Sequence, residues 1–233
     1  MADLSKKEWE HYERPEQSHV FKQIATVMRK GISPEEVAEF YSKWAGDLEY
    51  EKELPADVYN APIVTAEAAA DGLTEVQRAE ARVLDVAAGT GMSGDRLRAH
   101  GFRHVDALDP SEGMLAKARE RELYDKYICA FITDQPLDIP ENTYDVLTVS
   151  AGLGEGHIKC CALTEMIRLV KPGGVIVIVT RFQHLESVEE YRGRLEPLMD
   201  QFEKEGRWRR MERRVFPGFF LDKEGILWKY QVC

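Results

Sequence analysis

The sequence has few cysteines, and their spacing is not that of a metal site or a disulfide framework. Cys129, Cys160, Cys161 and Cys233 include no C-x-x-C pair. His157 lies close to Cys160 and Cys161, but no second His/Cys cluster is present to complete the four ligands of a structural zinc site. We therefore predict no metal site and a reducing, cytoplasmic location.

Long hydrophobic runs and an excess of positive charge are also missing. No stretch approaches the ~18 consecutive apolar residues of a membrane helix, and the first residues lack the hydrophobic region of a signal peptide, so we expect no membrane association. Lys and Arg number 31 against 41 Asp and Glu, a formal net charge of −10. Because binding to nucleic acid relies on Lys and Arg at the phosphates, nucleic acid is not an expected partner.

The most informative stretch is residues 82–94, where an apolar run changes abruptly to a glycine-rich turn. The run from Val83 to Ala88 predicts a strand, Gly89 and Gly91 predict a tight turn, and a helix pattern follows. Glycine lets the backbone approach a ligand closely, and a helix N-terminus offers unpaired N–H groups to an anion. This design suits a nucleotide-like cofactor.

Residues 89–94 also satisfy the G-x-G-x-x-G pattern of dinucleotide-binding proteins, with Asp109 about 20 residues further on. A carboxylate at Asp85, in the strand before the turn, would repel a pyrophosphate. The same carboxylate suits a cofactor with positive charge, such as the ammonium and sulfonium groups of S-adenosylmethionine. A NAD-dependent oxidoreductase is therefore the disfavoured alternative.

Four motifs in order resemble those of the class I S-adenosylmethionine-dependent methyltransferases. They occupy residues 84–91 (LDVAAGTG), 106–115, 144–147 and 169–174. Residues 41–47 and 59–62 further resemble the methyltransferase-like proteins named after the Williams–Beuren chromosomal region. The resemblance implies S-adenosyl-L-methionine as the cofactor and a Rossmann-like methyltransferase fold ending in an antiparallel hairpin.

The hydrophobic pattern itself alternates between strands and helices beyond residue 80. Strands are predicted at residues 82–87, 104–108, 127–132, 144–150, 174–180, 213–220 and 226–232. Helices are predicted at residues 92–100, 112–123, 158–170 and from Val188 to near Gly206. Strands separated by helices indicate a parallel sheet covered on both faces. Together with the resemblance, this predicts an α/β, doubly wound, mostly parallel seven-stranded sheet at residues 81–233.

Residues 1–80 are predicted to form an N-terminal helical cap over the cofactor site. Residues 1–15 are expected to be poorly ordered unless they close over the cofactor, and helices are predicted from Glu16, from Pro34 with Ser33 as N-cap, and between Asp57 and Gly72. Residues 37, 40, 41 and 44 share one helical face. That face is either the core of the cap or a wall beside the reactive methyl group.

The carboxyl ends of the strands, where such sheets bind ligands, carry the remaining candidate residues. By resemblance and position, the predicted cofactor-binding residues are Asp85, Ala87, Gly89, Thr90, Gly91, Asp109, Pro110, Met114, Thr133, Asp134 and Ser150. Asp109 is expected to accept hydrogen bonds from both ribose hydroxyls, and Asp134 from the adenine amine. Met114 is expected to form an apolar wall for the adenine.

The predicted catalytic residues are Tyr41, Trp44 and His157, with Glu155 as another candidate base. Residues 181–184, Phe219 and Phe220 are expected to complete the acceptor pocket. The predicted function is transfer of a methyl group, by in-line displacement, to an unidentified small-molecule acceptor. A noncatalytic S-adenosylmethionine-binding protein is the other hypothesis that the sequence leaves open, and neither oligomeric state nor the methylated atom follows from it.

Overall fold

The computed structural model describes residues 19–46 and 58–233, and the predictions for residues 1–15 and 16–18 lie outside these ranges. Its centre is one seven-stranded sheet with the order β3-β2-β1-β4-β5-β7-β6. The strands are β1 Arg82–Val86, β2 His104–Asp109, β3 Lys126–Cys129, β4 Tyr144–Ser150, β5 Val170–Arg181, β6 Trp208–Phe220 and β7 Lys223–Val232. The predicted α/β fold with a mostly parallel sheet and a C-terminal antiparallel hairpin is confirmed.

Strand β1 lies at the middle of the parallel part, where the strand order reverses. Val83 is paired with Val105 of β2 on one side and with Val146 of β4 on the other. Strands β4 and β5 are also parallel, whereas β7 runs antiparallel to both β5 and β6. At such a reversal the loops after the two central strands leave in opposite directions and open a crevice at their carboxyl ends.

Nine α-helices are present in the described ranges, together with a short 3₁₀ helix at Cys160–Ala162. They are α1 His19–Val27, α2 Pro34–Gly46, α3 Ala61–Ala70, α4 Glu75–Glu80, α5 Met92–Ala99, α6 Glu112–Glu120, α7 Leu163–Leu169, α8 His184–Ser187 and α9 Leu195–Lys204. The helix start predicted at Ser33 is confirmed. The Ser33 hydroxyl accepts a hydrogen bond from the Glu36 N–H (3.1 Å), and the Glu36 carboxylate accepts one from the Ser33 N–H (2.9 Å).

Each face of the sheet is covered by helices around its own apolar cluster. On one face α3 packs against β4, β5 and α5. Five of its ten residues are alanines, which have little side-chain bulk, so this helix can approach the strands closely. On the other face the buried side chains include Leu84, Ile176 and Trp228. The division predicted at residue 80 stays a prediction, although α3, on its N-terminal side, belongs to the core of the sheet.

Three predicted boundaries in the parallel part were wrong. Strand β3 ends at Cys129, not at residue 132, because the chain leaves the sheet there to form a cavity wall. The helix predicted from residue 158 begins only at Leu163, after the 3₁₀ turn. Strand β5 starts at Val170 rather than 174, since Val170 already pairs with Tyr144 across an irregularity in the register.

The C-terminal hairpin is longer than predicted. Strand β6 starts at Trp208, whose ring stacks on Tyr230 of β7 at 4.0 Å between centroids. The predicted helix from Val188 is interrupted, and α9 begins at Leu195. Arginines of the basic stretch at residues 207–214 face acidic neighbours: Arg213 lies 2.7 Å from Glu196, and Arg210 lies 3.1 Å from Asp200. These ion pairs and the exposure of the arginines indicate that this stretch forms a solvated edge of the sheet.

None of the helices in the described ranges combines the length and the hydrophobicity of a membrane span. Within the same ranges, no group of three or more His, Cys, Asp or Glu side chains is arranged to hold a metal ion.

Candidate active site

A cavity of about 380 Å³ lies at the carboxyl ends of the parallel strands and under the cap helices α1 and α2. Its walls come from the segments that follow β1, β2, β3, β4 and β5, which converge here because the strands are parallel. Of the predicted site residues, the cavity is lined by Tyr41, Trp44, Ala87, Gly89, Asp109, Pro110, Met114, Thr133, Ser150 and His157. Four others, Asp85, Thr90, Gly91 and Asp134, do not line it.

The turn after β1 has the backbone geometry that its glycines predict. Gly89 and Gly91 have φ of 55° and 95°, in the left-handed region that favours glycine. The Gly91 N–H donates to the carbonyl of Ala88 (3.0 Å) and closes the turn. A Cβ at Gly91 would lie 2.9 Å from the Leu123 side chain, so this residue also lets the start of α5 pack closely against the segment that follows α6. Gly89 forms the cavity wall, whereas Gly91 packs behind it.

Asp85 is fully buried and does not line the cavity, so the contact with the cofactor predicted for it stays a prediction. One carboxylate oxygen accepts a hydrogen bond from Tyr124 (2.7 Å) and the other from Thr148 (2.8 Å). The Tyr124 hydroxyl in turn accepts one from the Gly94 N–H (3.2 Å). Burial raises the pKa of Asp85 to about 6 against the opposing effect of these two hydroxyls. The carboxylate thus ties the first turn of α5 to the central strands.

Asp109, at the end of β2, is the carboxylate that the cavity does contain. Its two oxygens accept hydrogen bonds from the backbone N–H groups of Gly89 (2.9 Å) and Ser111 (2.8 Å). The side chain is therefore held between the β1 turn and the start of α6. Burial raises its pKa to about 6, although both N–H donors favour the charged form. Each oxygen still has acceptor capacity toward a ligand.

Two hydroxyls at this site are buried without a hydrogen-bond partner, Thr90 Oγ1 and Ser150 Oγ. A buried, unpaired hydroxyl is costly, and most such groups in native proteins are satisfied by a ligand or a water molecule. Ser150 ends β4 and faces the cavity, so a polar ligand atom could satisfy it. Together with Asp109 and Gly89, this orphaned hydroxyl fits a nucleoside cofactor.

The wall beyond β2 and β3 is apolar and suits a heterocyclic base. Met114 is 2 % exposed and lies beside Pro110, while the chain after β3 contributes Phe131, Ile132 and Thr133. Phe131 is 40 % exposed, unusual for a large apolar side chain in this fold. Asp134 is exposed outside the cavity, and its carboxylate contacts Gln135. The chain therefore presents Thr133, rather than Asp134, to a base.

Tyr41 and His157 meet across the cavity, from α2 and from the loop after β4. The Tyr41 hydroxyl lies 3.3 Å from Nε2 of His157. Nδ1 of His157 lies 2.7 Å from the carbonyl oxygen of Glu155. Because a carbonyl only accepts, Nδ1 carries the proton and Nε2 carries a lone pair. Burial lowers the pKa of His157, so the imidazole is neutral and able to accept a proton near pH 7.

Trp44, on the aromatic face of α2, belongs to the core and also borders the cavity. It is 3 % exposed and stacks on Tyr41 at 6.0 Å between ring centroids.

Glu155 was the other candidate base. Its carboxylate instead accepts a hydrogen bond from the Gly31 N–H (3.0 Å), outside the cavity, and so connects the cap to the loop after β4.

The segment after β5 brings two polar side chains to the cavity, Arg181 and His184. The sequence places this segment near the acceptor but does not single out either residue. Nδ1 of His184 lies 2.9 Å from the Leu153 carbonyl, so its Nε2 also carries a lone pair. Burial, followed by the charge of Arg181, lowers the pKa of His184 to about 4. In the sequence, their position at the end of a predicted strand was the only feature that pointed to Arg181 and His184 as site residues.

The cap is seated on α6 by a close contact at Gly113. The Ser42 hydroxyl lies 2.8 Å from the Ser111 hydroxyl, and a Cβ at Gly113 would lie 2.5 Å from the Ser42 carbonyl oxygen. The backbone of Ser42 cannot move away from such a Cβ as a flexible side chain could. A side chain at residue 113 would therefore push α2, with Tyr41 and Trp44, away from the site.

We expect Gly113→Ala to lower the free energy of unfolding by roughly 1 to 3 kcal/mol, the usual effect of overpacking. This sign opposes helix propensity, which favours alanine over glycine by about 1 kcal/mol inside a helix. Urea unfolding of Gly113→Ala and of Ala116→Gly, an exposed control on the same helix, measures both effects. A Gly113→Ala protein more stable than wild type would contradict the close seating of α2 on α6.

Comparison with known proteins places this arrangement in a family. Residues 83–174 match the family model described as "Methyltransferase domain", which covers β1 through the start of β5. The human methyltransferase-like protein 27 is 33 % identical over 169 residues, or 72 % of this chain and 66 % of that protein. This chain belongs to the S-adenosylmethionine-dependent methyltransferases.

Other relatives support the same family at lower coverage. Demethylmenaquinone methyltransferase of Clavibacter sepedonicus is 44 % identical over 100 residues, so this chain spans only 40 % of that protein's length. The fold is shared with a S-adenosylmethionine-dependent methyltransferase from Aquifex aeolicus. That structure superposes with a TM-score of 0.56 at 19 % identity and covers 82 % of this chain and 98 % of its own. The relatives and the solved structure named here are all methyltransferases, which favours S-adenosylmethionine over a nicotinamide cofactor.

Proposed function

We propose that this protein transfers a methyl group from S-adenosylmethionine to a small molecule bound beside Tyr41 and His157. The observation that carries the proposal is the His157 imidazole, which is buried, neutral and directs a lone pair toward the Tyr41 hydroxyl inside the cavity. A noncatalytic binding protein would not need such a base. The relatives that methylate demethylmenaquinone also act on a small molecule, as their names state.

The residues divide the cavity into a cofactor half and an acceptor half. We assign Asp109 to the ribose hydroxyls, Met114 and Thr133 to the adenine, and the Gly89 turn with Ser150 to the remainder of the cofactor. Thr90, Gly91 and Asp85 would act from behind, by holding that turn. Asp134 would reach the cofactor only if its loop moved.

Bound S-adenosylmethionine supplies an activated methyl group on a positively charged sulfur. The protein's contribution is to exclude water, orient the acceptor and remove its proton. Nε2 of His157 takes that proton from the acceptor's nucleophilic oxygen or nitrogen. Tyr41 packs edge-to-face against the imidazole of His157 and contacts the acceptor. Trp44 fixes the Tyr41 ring by stacking on it. An acceptor that attacks without losing a proton would not need His157.

Calorimetric titration with S-adenosylhomocysteine and, separately, with NAD tests the cofactor half. We expect saturable binding of S-adenosylhomocysteine and none of NAD. Release of S-adenosylhomocysteine from S-adenosylmethionine, followed by mass spectrometry across a library of phenols, carboxylic acids and amines, tests the acceptor half. Tight binding without product from any member would favour the noncatalytic alternative, and NAD binding alone would refute the proposal.

A further inference from the structure

The two halves of the cavity differ in charge. The cofactor half contains Asp109 at the end of β2, whereas Arg181 stands at the end of β5. Three strand intervals of about 4.8 Å separate these positions, so their backbones lie roughly 14 Å apart across the sheet. The remaining charged side chains of the wall, Glu35 and Lys159, are exposed at its rim.

Arg181 is held in place but has no carboxylate partner within ion-pair distance among the described residues. Its Nε–H donates to the side-chain oxygen of Gln183 (2.7 Å), which orients the guanidinium and leaves the two terminal nitrogens without a partner there. The nearby Asp222 pairs with Lys223 instead (3.0 Å). Most other described arginines, by contrast, lie within 4 Å of a carboxylate.

A half-buried guanidinium in this state is unusual. Burial lowers the pKa of Arg181, so its charge is disfavoured by its surroundings and no neighbouring anion fully compensates it. The planar guanidinium fork matches a carboxylate with two parallel hydrogen bonds. The neighbouring His184, neutral and with its lone pair on Nε2, supplies no negative charge to oppose such a ligand.

The surroundings of Arg181 also specify the rest of the ligand. Phe219 and Phe220 of the C-terminal hairpin line the same cavity and pack edge-to-face against Tyr59 at 5.9 and 6.4 Å between centroids. Aromatic walls favour a flat or apolar body. A ligand here would place its charged end on Arg181 and its body against the aromatic wall, with Tyr41 and His157 alongside.

We infer that the methyl acceptor is an organic acid, whose carboxylate is bound by Arg181 and whose apolar body rests on the aromatic wall of Phe219 and Phe220. This inference rests on the proposed methyl transfer. It assigns Arg181 as a substrate-binding residue. The same guanidinium could instead hold the carboxylate of the cofactor's own amino acid moiety, and the experiment below separates these two sources.

The test compares matched pairs of an acid and its neutral amide on protein saturated with S-adenosylhomocysteine. 4-Hydroxybenzoate with 4-hydroxybenzamide, and indole-3-acetate with indole-3-acetamide, serve as probes in ligand-observed NMR titrations. We expect at least one acid to bind about tenfold or more tightly than its amide, as charge-assisted hydrogen bonds predict. Arg181→Met should abolish that preference and Arg181→Lys should reduce it. Arg192→Met, an exposed arginine outside the cavity, should leave it unchanged.

Three results would overturn the inference: no acid preferred over its amide, a preference that survives Arg181→Met, or Arg181→Met weakening S-adenosylhomocysteine with the preference intact. The last result would assign Arg181 to the cofactor carboxylate. Thermal melting of each variant shows whether it is folded. If Arg181→Met is unfolded, the acid preference is tested with Arg181→Lys instead. Failure of the wild type to bind S-adenosylhomocysteine would instead refute the proposed function itself, so the two failures are distinguishable.

Discussion

Asp109→Asn is expected to weaken S-adenosylhomocysteine binding by roughly a hundredfold. Both carboxylate oxygens already accept hydrogen bonds from backbone N–H groups, of Gly89 and Ser111. In asparagine one of them becomes an NH₂ group that faces an N–H donor. The substitution also removes the two charge-assisted bonds that we assign to the ribose hydroxyls. At ~1.5 kcal/mol each, their loss gives ~3 kcal/mol, or about a hundredfold in affinity. Isothermal titration calorimetry measures the change.

The exposed Asp134→Asn is the matched control, because the same chemical change is made outside the cavity. We expect it to alter the dissociation constant by about twofold or less, in the range of ordinary surface substitutions. If Asp134→Asn weakened binding more than Asp109→Asn, the loop after β3 would be the main cofactor-binding segment, as predicted for Asp134. Unchanged binding by Asp109→Asn would remove Asp109 from the cofactor site.

Acid pH should weaken the binding of S-adenosylhomocysteine to the wild type, because protonation removes the negative charge of Asp109. The pKa of Asp109 is raised to about 6, so its charge is lost as the pH falls through 6. The folded pKa lies above the unfolded value, so protonation of this group stabilises the fold as the pH falls from 6 toward 3.8. Weaker binding between pH 6 and 3.8 is therefore not caused by the effect of Asp109 protonation on folding. Asp85 titrates in the same window, and the difference between wild-type and Asp109→Asn profiles isolates Asp109.

The positions of the strands along the chain and the residues at their ends could be predicted because these features are local. The alternation of apolar runs and glycine turns places Gly89, Asp109 and Ser150 at the carboxyl edge of a parallel sheet. The four-motif resemblance adds the family and the cofactor. Those three residues indeed line one cavity.

The partners of each carboxylate could not be predicted, because they come from distant parts of the chain. Asp85 is bound by Tyr124 and Thr148, 39 and 63 residues away, and it is fully buried. Glu155 is bound by the N–H of Gly31, 124 residues away. Composition and spacing contain no signal for such pairings, since they depend on how the helices pack on the sheet.

His157→Asn is expected to lower kcat about a hundredfold to ten-thousandfold, the usual contribution of a positioned general base. The asparagine NH₂ can still donate to the Glu155 carbonyl, as Nδ1 does now, but the lone pair of Nε2 is lost. Binding of S-adenosylhomocysteine should stay within about twofold of wild type, as for a change outside the cofactor half. Turnover is measured with whichever library member releases S-adenosylhomocysteine fastest, at saturating S-adenosylmethionine.

The pH dependence of kcat distinguishes His157 from the second neutral imidazole, His184. A base must be deprotonated, so kcat falls as the pH drops through its pKa. That pKa lies below 6.5 for His157 and at about 4 for His184. If His157 is the base, the acid limb lies below pH 6.5 and disappears in His157→Asn, while His184→Asn retains it. An acid limb near 4 that disappears only in His184→Asn would transfer the role of base to His184, because its Nε2 is the other lone pair in the cavity.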